Sequence, residues 1–265
     1  MTNEEYRAAE GVSRSELFRL TVSPLHFRYE QEHPKSKTPA LQFGSAFHKL
    51  VLEPDTFSQE FAVLSICDRR TKEGKALFAE FEENCGDKAV VTAEEYEQIC
   101  SMRDSVMGNP YARLLLRGEV EQSFFWDDEL TGERCKCRPD VLTEVDGDGI
   151  IVDLKSCVAA DSDSFMRDCV KYGYDLQVAM YRQGVYANTG KWCEFVFIAV
   201  EKEPPYAVNL LQANDLVIRR GEDLFRELIG KYHHCKTTGN WYGYNGFSGM
   251  INNLSLPRWM EKEYE

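Results

Sequence analysis

An apolar run that carries two charges constrains this chain more than any other segment. Residues 150–156 read Ile-Ile-Val-Asp-Leu-Lys-Ser. Branched apolar residues at this density mark a buried strand. Such a strand has no place for Asp153 and Lys155 unless they are paired or serve a ligand. Side chains alternate along a strand, so Asp153 and Lys155 share one face. Ile150, Val152 and Leu154 share the other. Upstream, Pro139-Asp140 closes a β-rich run, and Asp146-Gly147-Asp148-Gly149 marks the turn between the two segments. Two carboxylates and an amine converging there would suit a magnesium ion beside a phosphodiester.

Composition sets the bounds. The 265 residues are 43% hydrophobic, enough for a large folded core. A net charge of −13 and a pI near 5.0 weigh against a general nucleic-acid binder, unless one local strip is basic. The nine cysteines are scattered and odd in number, with no signal peptide ahead of them. They are expected as reduced thiols in a cytoplasmic protein. No apolar run is long enough to span a bilayer, so no membrane association is expected.

The chain reads as one domain. Residues 1–117 are mainly helical, 118–236 form a mixed α/β core, and 237–265 make an irregular tail. Ser13-Arg14-Ser15-Glu16 has the capping-box pattern, and Ser23-Pro24 a second helix start. Thr38-Pro39 opens a helix that Glu53-Pro54 ends, with Phe43, Phe47, Leu50 and Val51 as its apolar stripe and His48 beside it. Thr92 caps a helix to about Met107. Alternation then predicts strands over 119–126, 134–144 and 150–156. A helix over 161–188, broken near Gly173, follows. Strands over 192–200 and 206–211 and a helix from Asp215 to about Lys236 complete a mixed sheet flanked by helices.

At the site, Asp140 is the expected central metal ligand. Asp153 is the second carboxylate, with the Leu154 carbonyl as a neutral oxygen. Lys155 would orient or deprotonate the attacking water, or stabilise charge developing on phosphorus. Glu121 could join the carboxylates, or be a solvated edge residue. Gln177 and Tyr181 share a helix face at i, i+4, with Tyr174 one turn earlier. Together they could hold backbone phosphate, or belong to an ordinary amphipathic helix. Arg134, Lys136 and Arg138 alternate into Asp140, either to meet DNA phosphate or to form a solvated strand face.

The ordered set resembles a known family. Gly44-x-Ala46-x-His48, Arg138-Pro139-Asp140, Asp153-Leu154-Lys155 and Gln177-x-x-x-Tyr181 look like the RecB-type branch of the PD-(D/E)XK nucleases. The continuation through Glu53-Pro54, Ser13-x-Ser15-x-Leu17 and Leu256-Pro257-Arg258-Trp259 looks like RecE, or exonuclease VIII, within it. The resemblance implies a PD-(D/E)XK core with N-terminal accessory helices. It implies a magnesium-dependent 5′-to-3′ exonuclease on double-stranded DNA ends, with manganese as a substitute. Such enzymes leave 3′ single-stranded tails for a RecT-type annealing protein in phage-type recombination inside a bacterial host cell. It also implies a ring-shaped homo-oligomer, trimer or tetramer. Matched by motif, His48, Asp140 and Asp153 are metal ligands and Lys155 is the catalytic lysine, with Glu121 and Gln177 supporting them. The hairpin between Asp140 and Asp153 looks slightly longer than usual.

Two further readings stay open. A structure-specific endonuclease would cut DNA without an end. A non-catalytic DNA-binding or assembly protein could keep the nuclease fold. An iron–sulfur cluster is not expected, because Cys135-x-Cys137 and the other cysteines lack cluster spacing. His233-His234-Cys235 lacks partners for zinc.

Overall fold

The computed structural model describes residues 1–34, 38–65 and 71–261. Helices dominate the first half: α1 (Asn3–Ala8), α2 (Arg14–Arg19), α3 (Pro24–Glu32), α4 (Pro39–Leu52) and α5 (Phe57–Glu60). Strand β1 (Phe61–Leu64), helix α6 (Lys72–Cys85), strand β2 (Ala89–Thr92) and helices α7 (Ala93–Gly108) and α8 (Pro110–Leu115) follow. The strands of the second half are β3 (Glu119–Val120), β4 (Phe124–Asp127), β5 (Arg134–Cys137), β6 (Val141–Val145) and β7 (Asp148–Cys157). Then come α9 (Ser162–Tyr172), α10 (Tyr174–Thr189), β8 (Glu194–Glu201), β9 (Val208–Gln212), α11 (Asp215–Thr238) and α12 (Arg258–Glu261).

Local signals set most helix ends. Ser23, Thr38 and Thr92 each accept the backbone N–H three residues on, and Pro24 and Pro39 occupy first-turn positions where a missing N–H costs nothing. Glu16 completes the capping box at Ser13. The predicted break near Gly173 is real: its φ of 68° ends α9 and begins α10.

The main sheet has the order β3-β6-β7-β8-β9. Only β7 and β8 run parallel; the other neighbours are antiparallel. One face, with Val141, Val152, Leu154, Val196 and Ile198, packs on Phe47, Leu50 and Val51 of α4 and on α7. The opposite face, with Ile151, Phe195, Phe197 and Ala199, packs on Phe165 of α9 and Val178 and Val185 of α10. The strand β7 is thus buried on both sides, as its near-continuous apolar run predicts. This is the expected mixed α/β architecture. Among the described residues no helix is long and apolar enough to cross a membrane.

Two predicted strands divide. The run over 119–126 splits at Glu121, whose φ of 54° ends β3. The run over 134–144 splits at residues 138–140, between β5 and β6. The pieces β4 and β5 then pair as a separate two-stranded ribbon. Each break carries a local signal, the polar run Glu121-Gln122-Ser123 and Pro139, but neither signal shows a change of sheet. The hairpin from β6 to β7 is also tighter than expected. Val145 pairs with Asp148, leaving Asp146 and Gly147 as a two-residue turn with φ of 54° and 93°. Missed elements include α1, the parallel pair β1–β2 and α6.

The ribbon separates Arg134, Lys136 and Arg138, and Lys136 fits neither a solvated strand face nor a phosphate contact. Lys136 is 5% exposed, and its ammonium donates to the carbonyls of Tyr6, Arg7 and Ala9 at 3.2, 3.1 and 2.6 Å. It caps the end of α1, where a cation is favoured, so its ammonium is taken up inside the protein. Arg134 is exposed and pairs with Asp127 at 3.1 Å. Replacing Lys136 with Met should leave three carbonyls without their donor and cost about 2 kcal/mol. Arg134→Gln should cost less than ~0.5 kcal/mol, as expected of an exposed pair. Urea unfolding midpoints of the two variants check this order.

Candidate active site

The site lies where β6 has ended and β7 continues. Val141 pairs with Val152, so Asp140 stands directly opposite Asp153. Val120 pairs with Val141, and the Glu121 N–H donates to the Asp140 carbonyl at 3.0 Å. Glu121 just after β3, Asp140 just before β6 and Asp153 within β7 therefore lie near one end of the sheet. Beyond Val152 the strand β7 has no β6 neighbour. The Leu154 N–H donates instead to Asp140 Oδ2 at 2.7 Å. Within a strand the N–H and C=O of one residue point to the same edge, so the Leu154 carbonyl is directed to the edge where Asp140 sits.

Helices on both faces supply the partners. From α4, His48 Nδ1 approaches Asp140 Oδ2 at 3.2 Å. From α10, the Gln177 amide donates to Asp153 Oδ1, and Lys155 contacts Asp153 Oδ2. The Lys155 ammonium also lies 4.8 Å from the centre of the Tyr174 ring. Arg138 donates to Glu121 Oε2 and to the Met1 and Thr2 carbonyls at 3.2 Å each. Its guanidinium is spent on the site's rim and on the two residues that precede α1. Tyr181 packs on Phe195 at 6.3 Å and does not line the cleft, whereas Tyr174 does. The structure therefore brings together His48, Glu121, Arg138, Asp140, Asp153, Lys155, Tyr174 and Gln177, and leaves Arg134, Lys136 and Tyr181 outside.

Sequence reasoning passed over Arg14. It donates from Nη2 to Gln177 Oε1 at 3.3 Å and from Nη1 to the Tyr172 carbonyl at 3.0 Å. One signal was available. Arg14 is the first residue of α2, where the helix dipole disfavours a cation.

Burial and charge pull the acids apart. Asp140 and Asp153 are 8% and 2% exposed. Burial alone would raise both carboxyls. For Asp140, His48, Lys155 and the Leu154 N–H outweigh burial and hold it below its ordinary value. For Asp153, burial and neighbouring Asp140 outweigh Lys155 and hold it above. Burial also raises Glu121, with Asp140 adding to it and Arg138 opposing. Burial disfavours charged His48, but Asp140 beside it prevails and raises its pKa.

Among the described residues, no three His, Cys, Asp or Glu side chains are already gathered to hold a metal ion. His48 and Asp140 bond each other, and Asp153 is taken by Lys155 and Gln177. The donor chemistry nonetheless suits a hard divalent cation: two carboxylates, a backbone carbonyl directed to their edge, and one imidazole. The site opens on a cleft of about 1090 Å³, lined by Arg14, His48, Lys49, Glu121, Lys155 and Lys202 among others.

Comparisons with known proteins bear on the family and the fold. A family profile described as a PDDEXK-like domain of unknown function (DUF3799) matches residues 13–253. A crystal structure of a protein from Eubacterium rectale, provisionally described as an exonuclease, superposes with a TM-score of 0.64 at 15% identity, covering 99% of this chain and 97% of that one. That likeness shows a shared fold. The structure of SSO0001 aligns with a TM-score of 0.37 at 12% identity, over 84% of this chain and 81% of that one, too low to show one. No curated protein sequence matches.

The His48–Asp140 pair makes a pH prediction for the metal-free protein. His48 is raised above its ordinary 6.5, so its stabilisation is fully present below that value. It is lost as pH rises through the folded pKa. Asp140 is lowered, so its share is lost only as acid protonates it. In chelator, the melting-temperature gap between the wild type and His48→Gln should be widest near pH 6 and narrow toward pH 9. Melts across that range check the sign.

Proposed function

This chain belongs to the PDDEXK-like family DUF3799, and on that premise we propose that it is a divalent-metal-dependent deoxyribonuclease acting from the ends of duplex DNA. The observation that carries this reading is the meeting of Asp140, Asp153 and Lys155 at one sheet end, beside His48, with His48 and Lys155 lining a cleft in front of the two buried acids. A purely structural ion pair would not account for a second buried carboxylate opposite the first. Nor would it account for a strand, β6, that stops where the two carboxylates come together.

In this proposal Asp140, Asp153, the Leu154 carbonyl and His48 hold magnesium, or manganese in its place. The bound cation supplies charge neutralisation at the phosphate and a more acidic water. The protein's own groups do the rest. Lys155, already fixed by Asp153 and the Tyr174 ring, is placed to orient the attacking water or to neutralise charge on the phosphate. Gln177 holds the far oxygen of Asp153, which limits how that carboxylate turns. Arg138 restrains Glu121 at the rim, keeping a third acid near Asp140. Lys202, Lys49 and Arg14 line the cleft among its acids, so a chain of net charge −13 still offers cations to a phosphate there.

The finer parts of the proposal rest on the resemblance to RecE-like exonucleases. They are the 5′-to-3′ direction, the 3′ single-stranded tail passed to a RecT-type annealing protein, and a ring of three or four copies in the bacterial cytoplasm. A ring would let an acidic protein thread DNA, since only its lining need be basic.

Linear duplex DNA labelled at either end tests the reading. With magnesium, the 5′ label should be released first, from linear DNA only, and Asp153→Ala should lower the rate by at least ~10²-fold. Cutting of closed-circular DNA would favour an endonuclease. Magnesium-independent binding without cleavage would favour a non-catalytic DNA-binding protein.

A further inference from the structure

The Asp153 carboxylate depends on which way one amide points. Gln177 is 2% exposed, and its two ends differ only in being a donor or an acceptor. With its NH₂ end toward Asp153 it satisfies a buried carboxylate oxygen. With the ends exchanged, a carbonyl oxygen would face that carboxylate and both would lack a donor. Nothing within Gln177 itself decides between the two. Its Oε1, however, accepts from Arg14 Nη2 at 3.3 Å. A guanidinium has no acceptor, so it admits only the orientation that turns Oε1 toward it and Nε2 toward Asp153.

Arg14 is itself fixed by two other contacts. Its Nη1 donates to the Tyr172 carbonyl at 3.0 Å, the last residue of α9, and its guanidinium lies 5.9 Å from the Tyr174 ring. It thus spans the break at Gly173 and reaches the first turn of α10, where Gln177 sits. The Tyr174 ring is shared with Lys155. A continuous line of polar contacts therefore runs Arg14, Gln177, Asp153, Lys155.

We propose that Arg14 is a positioning residue of the site, fixing the Gln177 amide so that it holds Asp153 for Lys155 and the cation. The inference rests on the reading of Asp153 as a functional carboxylate, but the Arg14–Gln177 contact can be tested without it. Hydrogen bonds in such a line polarise one another, and deleting one member disables the others.

Two measurements test it. The first uses protein labelled with ¹⁵N-glutamine, with the Gln177 side-chain signal identified by its loss in Gln177→Ala. In the wild type its two amide protons should be well separated and shifted from free-glutamine values. In Arg14→Ala they should move toward free values, and Arg14→Lys, which keeps a donor but not the fork, should fall between. An unmoved Gln177 signal in Arg14→Ala would overturn the proposal, whatever the activity. The second is a double-mutant cycle on magnesium-dependent cleavage of linear duplex DNA. Arg14→Ala should lower kcat by roughly ten-fold with KM unchanged, and adding it to Gln177→Ala should cause no further loss. Multiplying effects with a raised KM would overturn the proposal in favour of a direct phosphate contact by Arg14. An inactive wild type would count against the nuclease reading alone, since the amide signal still decides the role of Arg14. Should Arg14→Ala fail to fold, Arg14→Lys carries both measurements.

Discussion

Two carboxylates buried opposite each other are the constraint on which the rest of this structure turns. Asp140, just before β6, and Asp153 on β7 follow directly from the Val141–Val152 pair, each almost fully out of water. Left bare, such a pair would protonate or unfold the sheet end. The fold surrounds them with donors and cations drawn from separate layers: His48 from α4, Lys155 and the Leu154 N–H from β7, and Gln177 from α10. The acids consequently diverge, with Asp140 held ionised and Asp153 pushed toward protonation. A divalent cation would replace these substitutes with one stronger charge. That is why a site without three gathered ligands is still chemically suited to metal.

The scaffold positions this arrangement with few devices. The two-residue turn at Asp146 and Gly147 fixes the register that sets Asp140 against Asp153. The early end of β6 frees one edge of β7, and a carboxylate takes the vacated N–H. Apolar packing on both faces of β7 locks its height relative to α4 and α10. The left-handed Gly173 separates α10 from α9, and Gln177 of α10 reaches Asp153 on the strand. Close packing of α10 on α11 then holds that helix in place. A Cβ added at Gly221 of α11 would collide with the Asp175 backbone of α10, so only glycine fits there.

Much of this was legible in the sequence, for physical reasons. The density of Ile and Val in 150–156 identifies a doubly buried strand, and period-two geometry then sorts Asp153 and Lys155 from Val152 and Leu154. Pro24, Pro39 and the Ser and Thr caps mark helix starts because the unpaired N–H groups there need local acceptors. Long-range choices were not legible. The runs falter at the polar Glu121-Gln122-Ser123 and at Pro139, but nothing local shows that the chain leaves one sheet for another there. Lys136 alternates like a solvated residue, yet α1, more than a hundred residues earlier, folds over it. Arg14 reaches Gln177 across 163 residues, a contact no local period encodes.

The most direct test of the account is Mn²⁺ binding to the DNA-free protein, followed by electron paramagnetic resonance, in the wild type, Asp140→Asn and Lys155→Met. The account requires binding in the wild type that Asp140→Asn removes. It also requires tighter binding in Lys155→Met, where the competing ammonium is gone. Undiminished binding in Asp140→Asn would contradict it, because the buried carboxylates would then not be the place where the cation is held.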